Sequence, residues 1–522
     1  MNNPLLRFYH RLPAPARSLA ATVHGWYLQR WRYGPETEQQ VREALERERW
    51  SAERWRQWRE ERLAYVLHRA ATRVPYYREW WAARRRRGDR ASHELLENWP
   101  ILDKDAVQDN ALAFVADDCH VHASRARPAR DDQGSWELLE NWPILEKDTL
   151  RDNPRAFVAD DCDVRYMSRE QTSGTTGKPL VLWRSQRAIQ QLYALSGART
   201  RVWHGLTRND RWAIIGGQLV IPVEQRRPPF WVWNAALRQL YLSSYHLAPD
   251  LIPHYLDALV RYGIVYLYGY ASSISVLAHE ALRLGRTDVR LRVVIAASEP
   301  LLAHQREAIA AAFGCAVRET YGMTEMVAAA SECPSGTLHQ WPEVGAIEVL
   351  ADGRPAAPGA SGELVCTGLM NIDMPLIRYR VGDSGRLGDP AAPCACGRTL
   401  PAIAGVHGRT NDLLITRDGR RIYWLNPVFY GLPLREAQIV QERLDRLRVR
   451  YAPAPGFSAD TAREIRARLG SRMGAIEVEF EEVPVVPRSA AGKLRAIVCE
   501  LSPGEKAAAL DRGRNGPARP GP

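Results

Sequence analysis

Nowhere in its 522 residues does the chain string together the roughly 18 apolar residues that a membrane-crossing helix needs, so no membrane span is expected. A secretory leader is not apparent either, because Ser18-Leu-Ala-Ala-Thr-Val23 is too short and too interrupted. A cytoplasmic location is therefore expected. There the eight cysteines (119, 162, 315, 333, 366, 394, 396 and 499) read as thiols or metal ligands, not disulfides. No zinc-finger, RNP or helix-turn-helix signature accompanies the net charge of +11, so no nucleic-acid partner is expected. Arginine runs such as Arg84-Arg-Arg-Arg87 read as solvated helix faces with a modest pull on anionic ligands. The GxxxxGK[ST] loop of NTPases is missing where it is most nearly approached: position 172 is Thr and position 179 is Pro.

What that stretch does contain is QTSGTTGKP over 171–179. Its glycines let the backbone bend and bring N–H groups close to an anion. The hydroxyls of Thr172, Ser173, Thr175 and Thr176 add donors beside Gly177, and Lys178 adds charge. This is a phosphate cradle by composition, and composition alone would equally allow a solvated turn.

The length calls for two or more domains. Residues 1–92 read as helical, with Val41, Leu45, Trp50, Trp55, Trp58, Leu63 and Val66 near helical spacing across 38–71. Val74-Pro-Tyr-Tyr77 breaks that run. Residues 94–119 then recur at 137–162, shifted by 43 and differing at six of 26 positions. Two copies are too few for a solenoid. The second copy leads directly into the 171–179 stretch and is expected to hold the native place, with 93–136 as a surface insertion.

From 180 to about 300, short apolar strands (212–215, 264–267, 293–296) alternate with helices (251–262, 272–284), an α/β pattern. Gly269-Tyr-Ala-Ser-Ser273 and Ala297-Ser-Glu-Pro300 follow strands, where α/β sheets bind ligands. Glu319-Thr-Tyr-Gly-Met-Thr-Glu325 offers a ring to stack on a base, a hydroxyl for a phosphate and a carboxylate for Mg2+. In Ile377-Arg-Tyr-Arg-Val-Gly-Asp383 the aspartate follows a glycine turn and can accept from two ribose hydroxyls. A hinge is expected at Gly408-Arg-Thr-Asn-Asp412, ahead of strand 413–416 and the hairpin signal Asp418-Gly419. Downstream, 436–448 and 460–469 read as helices, 475–480 as a strand, and the tail 503–522 as disordered. Pro487-Arg-Ser-Ala-Ala-Gly-Lys-Leu-Arg495 is a loop able to present Lys493 to a distant cleft, or simply a basic surface loop. Cys333, His339, Cys394 and Cys396 suit a tetrahedral structural Zn2+, with free core thiols as the alternative.

Taken in order over 137–497, these motifs resemble the phenylacetate–CoA ligase and capsule-biosynthesis branch of the adenylate-forming superfamily, some of whose members carry zinc at the C-x5-H and C-x-C pieces. The resemblance implies an α/β fold: a large multi-layer amino-terminal domain (core 137–408) and a small α+β carboxyl-terminal lid (409–502). It implies that Ser173, Thr175, Thr176, Gly177 and Lys178 hold the ATP phosphates, that Ser298, Glu299 and Tyr321 frame the adenine, and that Thr324 meets the α-phosphate. Glu325 would hold Mg2+, Asp383 the ribose, Arg409 would sit at the hinge, and Lys493 would be the lid lysine. The implied partners are ATP, a small carboxylic acid and CoA; a homodimer is left open. The implied activity is acyl-adenylate formation and transfer to CoA. Two departures bear on it: the stretches around Trp183, Gln218 and 226–231 differ from an aryl-CoA ligase, and 422–427 lacks the expected GVNVFP-like run. The alternatives are an adenylating enzyme that acylates a hydroxyl or amine of a polysaccharide, and a basic nucleotide- or nucleic-acid-binding protein.

Overall fold

The computed structural model describes residues 4–86, 138–171, 180–222, 224–248, 250–389, 392–409, 414–417, 421–422, 426–429, 432–488 and 494–515. An eight-stranded sheet runs in the order Leu338–Gln340, Ala329–Glu332, Ala316–Gly322, Val293–Ala297, Tyr266–Tyr270, Trp212–Gly216, Gln239–Ser243, Trp231–Asn234. Its five inner strands are parallel and its outer ones antiparallel. Val293-Val-Ile-Ala-Ala297 is buried at every position, as a parallel strand covered on both faces must be. Helices Ile252–Arg261, Ala271–Arg283 and Ala303–Phe313 lie between the strands in sequence, and their Leu256, Leu259, Ile274, Leu277 and Ile309 pack into one core with Ala213, Ile215, Leu240 and Leu267. The expected α/β alternation is present, and one strand starts two residues late, at Tyr266.

The amino-terminal segment is helical, but 38–71 is two helices, Thr37–Arg47 and Ala52–Arg73. Between them the Ser51 hydroxyl caps the second helix by accepting from the Arg54 N–H. That helix ends at Val74, extended ahead of Pro75, which opens helix Pro75–Arg86. Buried Val66, Leu67, Ala70 and Val74 pack with Trp142, Leu145, Leu150 and Phe157 of the second repeat copy. The Val, Leu and Phe side chains among them each contribute roughly 1.5–3 kcal/mol on burial, so this copy is part of the core. The first copy, 94–119, lies outside the described residues.

The break at 48–51 also turns Glu48 inward. Its carboxylate accepts from Arg199 Nε (3.1 Å), Arg398 Nε (2.9 Å) and the Trp203 indole (2.9 Å). Arg199, fully buried, is also bidentate to Glu343 at 2.8 and 2.9 Å. Such a buried network is worth most through the cost of breaking it.

A five-stranded antiparallel sheet follows, ordered Arg354–Pro355, Gly345–Ala351, Gly362–Gly368, Tyr379–Leu387, Ile403–Arg409. Strand Leu414–Ile415 pairs with Arg421–Ile422 as the hairpin signal requires; the turn residues Asp418 and Gly419 lie outside the described residues. A four-stranded sheet ordered Glu477–Glu482, Arg446–Pro453, Leu434–Arg443, Ile497–Cys499 carries helix Ala459–Met473. Residues 436–448 are therefore not a helix. Helix-favouring Glu, Gln, Leu and Arg suggested one, but Leu447, Val449 and Tyr451 are buried at period two. Arg446 and Arg450, on the alternate positions, pair across the sheet with Glu479 and Glu481. The tail is not disordered throughout: Pro503–Asn515 is helical and buries Ala509, while 516–522 lie outside the described residues. Among the described residues no helix is long and apolar enough to cross a membrane.

Candidate active site

A cavity of about 1000 Å3 opens at the carboxyl ends of the parallel strands and reaches back to Trp212, Gln239 and Tyr266 at the starts of three of them, and Ser298, Glu299, Tyr321, Thr324, Glu325 and Asp383 all line it. Strand Val293–Ala297 delivers Ser298 in the left-handed region at φ 65°, uncommon without glycine. The next residue, Glu299, is 8% exposed. Its Oε2 accepts the Ser272 N–H at 3.0 Å and its Oε1 the Leu494 N–H at 2.6 Å. Burial pushes its carboxyl pKa up, against the pull of those donors.

Strand Ala316–Gly322 ends in the second motif. The Tyr321 hydroxyl donates to Asp383 Oδ2 at 2.8 Å, tying the eight-stranded sheet to the five-stranded one. Burial and the Asp383 charge hold Tyr321 far above its ordinary pKa, so it stays a neutral donor. Asp383 stands opposite Arg409 in the register of strands Tyr379–Leu387 and Ile403–Arg409, which puts the Arg409 backbone beside the cavity. Glu325, 8% exposed, accepts at Oε1 from the Tyr379 hydroxyl (2.9 Å) and from Lys147 Nζ (3.1 Å). Arg184 donates to the Thr324 carbonyl.

Hairpin strands Ser168–Gln171 and Val181–Arg184 pair Gln171 with Val181, so the ends of the glycine-rich stretch stand opposite each other. Ser173, Thr175, Thr176, Gly177 and Lys178 lie outside the described residues, as does Lys493. Leu494, the residue after Lys493, lines the cavity together with Arg495, Ala496 and Ile497.

Lys147 and Arg184 were not read from the sequence as site residues. Lys147 begins helix Lys147–Asp152 in the second repeat copy. The first copy has Lys104 at the equivalent position, but a lone lysine in a polar helix start is a weak signal.

Some distance along the chain, Cys333, His339, Cys394 and Cys396 do come together, their ligand atoms all within 4.8 Å of one another. Two thiolates on a tetrahedral Zn2+ stand about 3.8 Å apart, given Zn–S bonds near 2.3 Å. Cys333 Sγ and Cys394 Sγ are 3.7 Å apart, and Cys396 Sγ lies 3.3 Å from His339 Nε2. His339 Nδ1 sits 2.9 Å from the Leu400 carbonyl, a contact that fixes the proton on Nδ1 and leaves Nε2 for a metal. Burial raises the Cys394 thiol, but hydrogen bonds with the Thr337 hydroxyl and the Cys396 N–H outweigh it and bring it to about 6. The donor set and spacing fit zinc. Cys366 is buried and Cys315 and Cys499 half-buried among apolar neighbours, as core residues.

The chain is 26% identical over 334 residues to protein CapK of Staphylococcus aureus, spanning 62% of this chain and 72% of CapK. It is 27% identical over 244 residues to the phenylacetate-coenzyme A ligase of Thermus thermophilus, 40% of this chain and 54% of that enzyme. The fold is similar to the crystal structure of 2-hydroxyisobutyryl-CoA ligase in its postadenylation state (TM-score 0.59, 19% identity, 88% of this chain and 92% of that one). The family of AMP-binding enzymes matches residues 56–372, more than half the chain and all of the Tyr321–Glu325 motif. The chain belongs to that family, and its similarity to CapK and to phenylacetate-coenzyme A ligases matches the phenylacetate–CoA ligase and capsule branch of the adenylate-forming superfamily.

Proposed function

We propose that the protein activates a small carboxylic acid with ATP and passes the acyl group to CoA. The observation that carries this reading is the convergence of Ser298–Glu299, Tyr321–Glu325, Asp383 and Leu494 on one cavity from four separate stretches of chain. In the first half-reaction a carboxylate oxygen attacks the α-phosphorus, and pyrophosphate leaves with the electron pair of the broken P–O bond. In the second, a thiolate attacks the acyl carbon and AMP leaves.

The roles follow from chemistry at each position. Asp383, acceptor-only and oriented by the Tyr321 hydroxyl, is the carboxylate suited to ribose hydroxyls. The Ser173, Thr175, Thr176, Gly177 and Lys178 stretch supplies donors and charge for the phosphates, and Thr324 a hydroxyl for the α-phosphate. Glu325 is the carboxylate suited to Mg2+, since Lys147 and Tyr379 occupy only its Oε1. Bound there, Mg2+ would neutralise charge on the phosphates. Lys493 is the second cation, and the carboxyl-terminal unit shields the adenylate from water. Zinc in the Cys333–His339–Cys394–Cys396 cluster would be structural: Arg398 and Thr399, just beyond it, bond to Glu48 of the amino-terminal helices.

The departure at 422–427 favours a second reading in which a hydroxyl or amine, not CoA, takes the acyl group. Incubation with ATP, Mg2+ and a panel of carboxylic acids tests both. AMP and acyl-CoA formed together only when CoA is present supports the first. AMP released without CoA, with acylation of a glycan acceptor, supports the second.

A further inference from the structure

The cavity has a second arm that the nucleotide chemistry leaves unused, and its charge is one-sided. Among the described residues, every acidic residue lining the cavity (Glu299, Glu319, Glu325, Asp383) lies on the segments 298–325 and 379–387 that carry the nucleotide motifs. The other arm is lined by Arg32, Arg201, Arg208 and Arg238 and by no carboxylate among the described residues. It runs along the sheet face, since Tyr266 and Trp212 begin strands whose carboxyl ends reach the site. Tyr270, four residue steps along the strand from Tyr266, pairs with Ala297, so the arm is about 13 Å long.

Arg208 is paired with Glu38 at 3.1 Å and Arg238 donates to the Asn209 carbonyl. The two deeper guanidiniums have only uncharged partners among the described residues. Arg201 Nε donates to the Tyr266 hydroxyl at 2.8 Å and its guanidinium lies over the Trp212 ring at 5.3 Å. Arg32 sits 4.8 Å over the Tyr193 ring and bonds the Tyr241 hydroxyl. Burial raises the Tyr266 and Tyr241 phenols, so they supply no negative charge at neutral pH. Cations taken out of water call for a counter-charge, and a forked guanidinium is shaped for a carboxylate, sulfonate or phosphate.

We infer that the acid activated here carries a second anionic group at its far end, bound by Arg201 and Arg32 between the tyrosine and tryptophan walls of this arm. The inference rests on the adenylation reading for the near end of the substrate. Phosphates of CoA could offer the same chemistry, and a half-reaction run without CoA separates the two sources.

The test compares pyrophosphate exchange, with no CoA present, for matched acids: hexanoate against adipate, and phenylacetate against 4-carboxyphenylacetate. The expected kcat/KM ratio favours the doubly anionic member by about tenfold or more. That ratio collapses in Arg201→Gln and in Arg32→Gln, whose folding is checked by AMP binding, and persists in Arg32→Lys. Equal or better exchange with the singly charged acids overturns the inference, as does an unaltered ratio with a changed KM for CoA alone. If no acid drives exchange, the adenylation reading fails. Melting curves of wild type with adipate or hexanoate then still read the arm, adipate alone raising the midpoint if it binds anions and neither doing so if it does not.

Discussion

Glu299 Oε1 accepts the backbone N–H of Leu494 at 2.6 Å, joining the loop after strand Val293–Ala297 to the residue that follows Lys493. The same carboxylate holds the Ser272 N–H through Oε2. One buried side chain thus fixes the start of helix Ala271–Arg283 and a point on the carboxyl-terminal unit together.

Glu299→Ala leaves two N–H groups without their acceptor, at roughly 1–3 kcal/mol for each that stays buried. Adenylation is expected to slow about 10- to 100-fold, because Lys493 loses its neighbouring anchor. Thioester formation from supplied acyl-adenylate and CoA is expected to fall much less. Equal loss in both half-reactions would show a merely structural role.

Glu319 gives a pH signature. Burial, and then the nearby Glu332 charge, raise its pKa to about 7 from the model-compound value of 4.5. A raised carboxyl pKa means that the folded state holds the proton more tightly than the unfolded one. Its contribution is complete below about 4.5 and is lost as pH rises through about 7. Glu319→Gln is expected to remove that decline and to stabilise the protein at pH 8 by on the order of 2 kcal/mol. Denaturant titrations at pH 5 and pH 8 measure it, and an unchanged difference between the two would refute the assignment.

Elemental analysis of purified protein is expected to find about one zinc per chain, fewer in Cys394→Ser, and a chelator is expected to lower the melting temperature. Because the cluster is joined through Arg398 and Thr399 to Glu48, its loss should loosen the amino-terminal helices, visible as faster amide exchange around residues 44–55.

The convergence of Tyr321, Thr324, Glu325 and Asp383 on one cavity was legible in the sequence because these residue types have few other uses in that order: a tyrosine, threonine and glutamate in one heptapeptide, and an aspartate after a glycine. The meeting of Cys333 and His339 with Cys394 and Cys396 was legible in the same way. The α/β core was legible because strands such as 293–297 are apolar throughout. Charge partners were not. Lys147 gains meaning only when strand Tyr379–Leu387 and the Glu325 turn are folded against it, and Arg184 only beside the Thr324 carbonyl. The hairpin at 434–453 was missed because its arginines and glutamates carry helical propensity, while its period-two burial is set by neighbouring strands. The helix at 503–515 was missed because the glycines and prolines of the last residues dominated a short window.

The most direct measurement is isotope exchange between pyrophosphate and ATP, in wild type and in Lys493→Ala, with and without carboxylic acids. Exchange that requires an acid, and that falls at least about 100-fold in the variant while AMP binding persists, is the result this account predicts. Exchange with no acid dependence, or a variant as active as wild type, would contradict it.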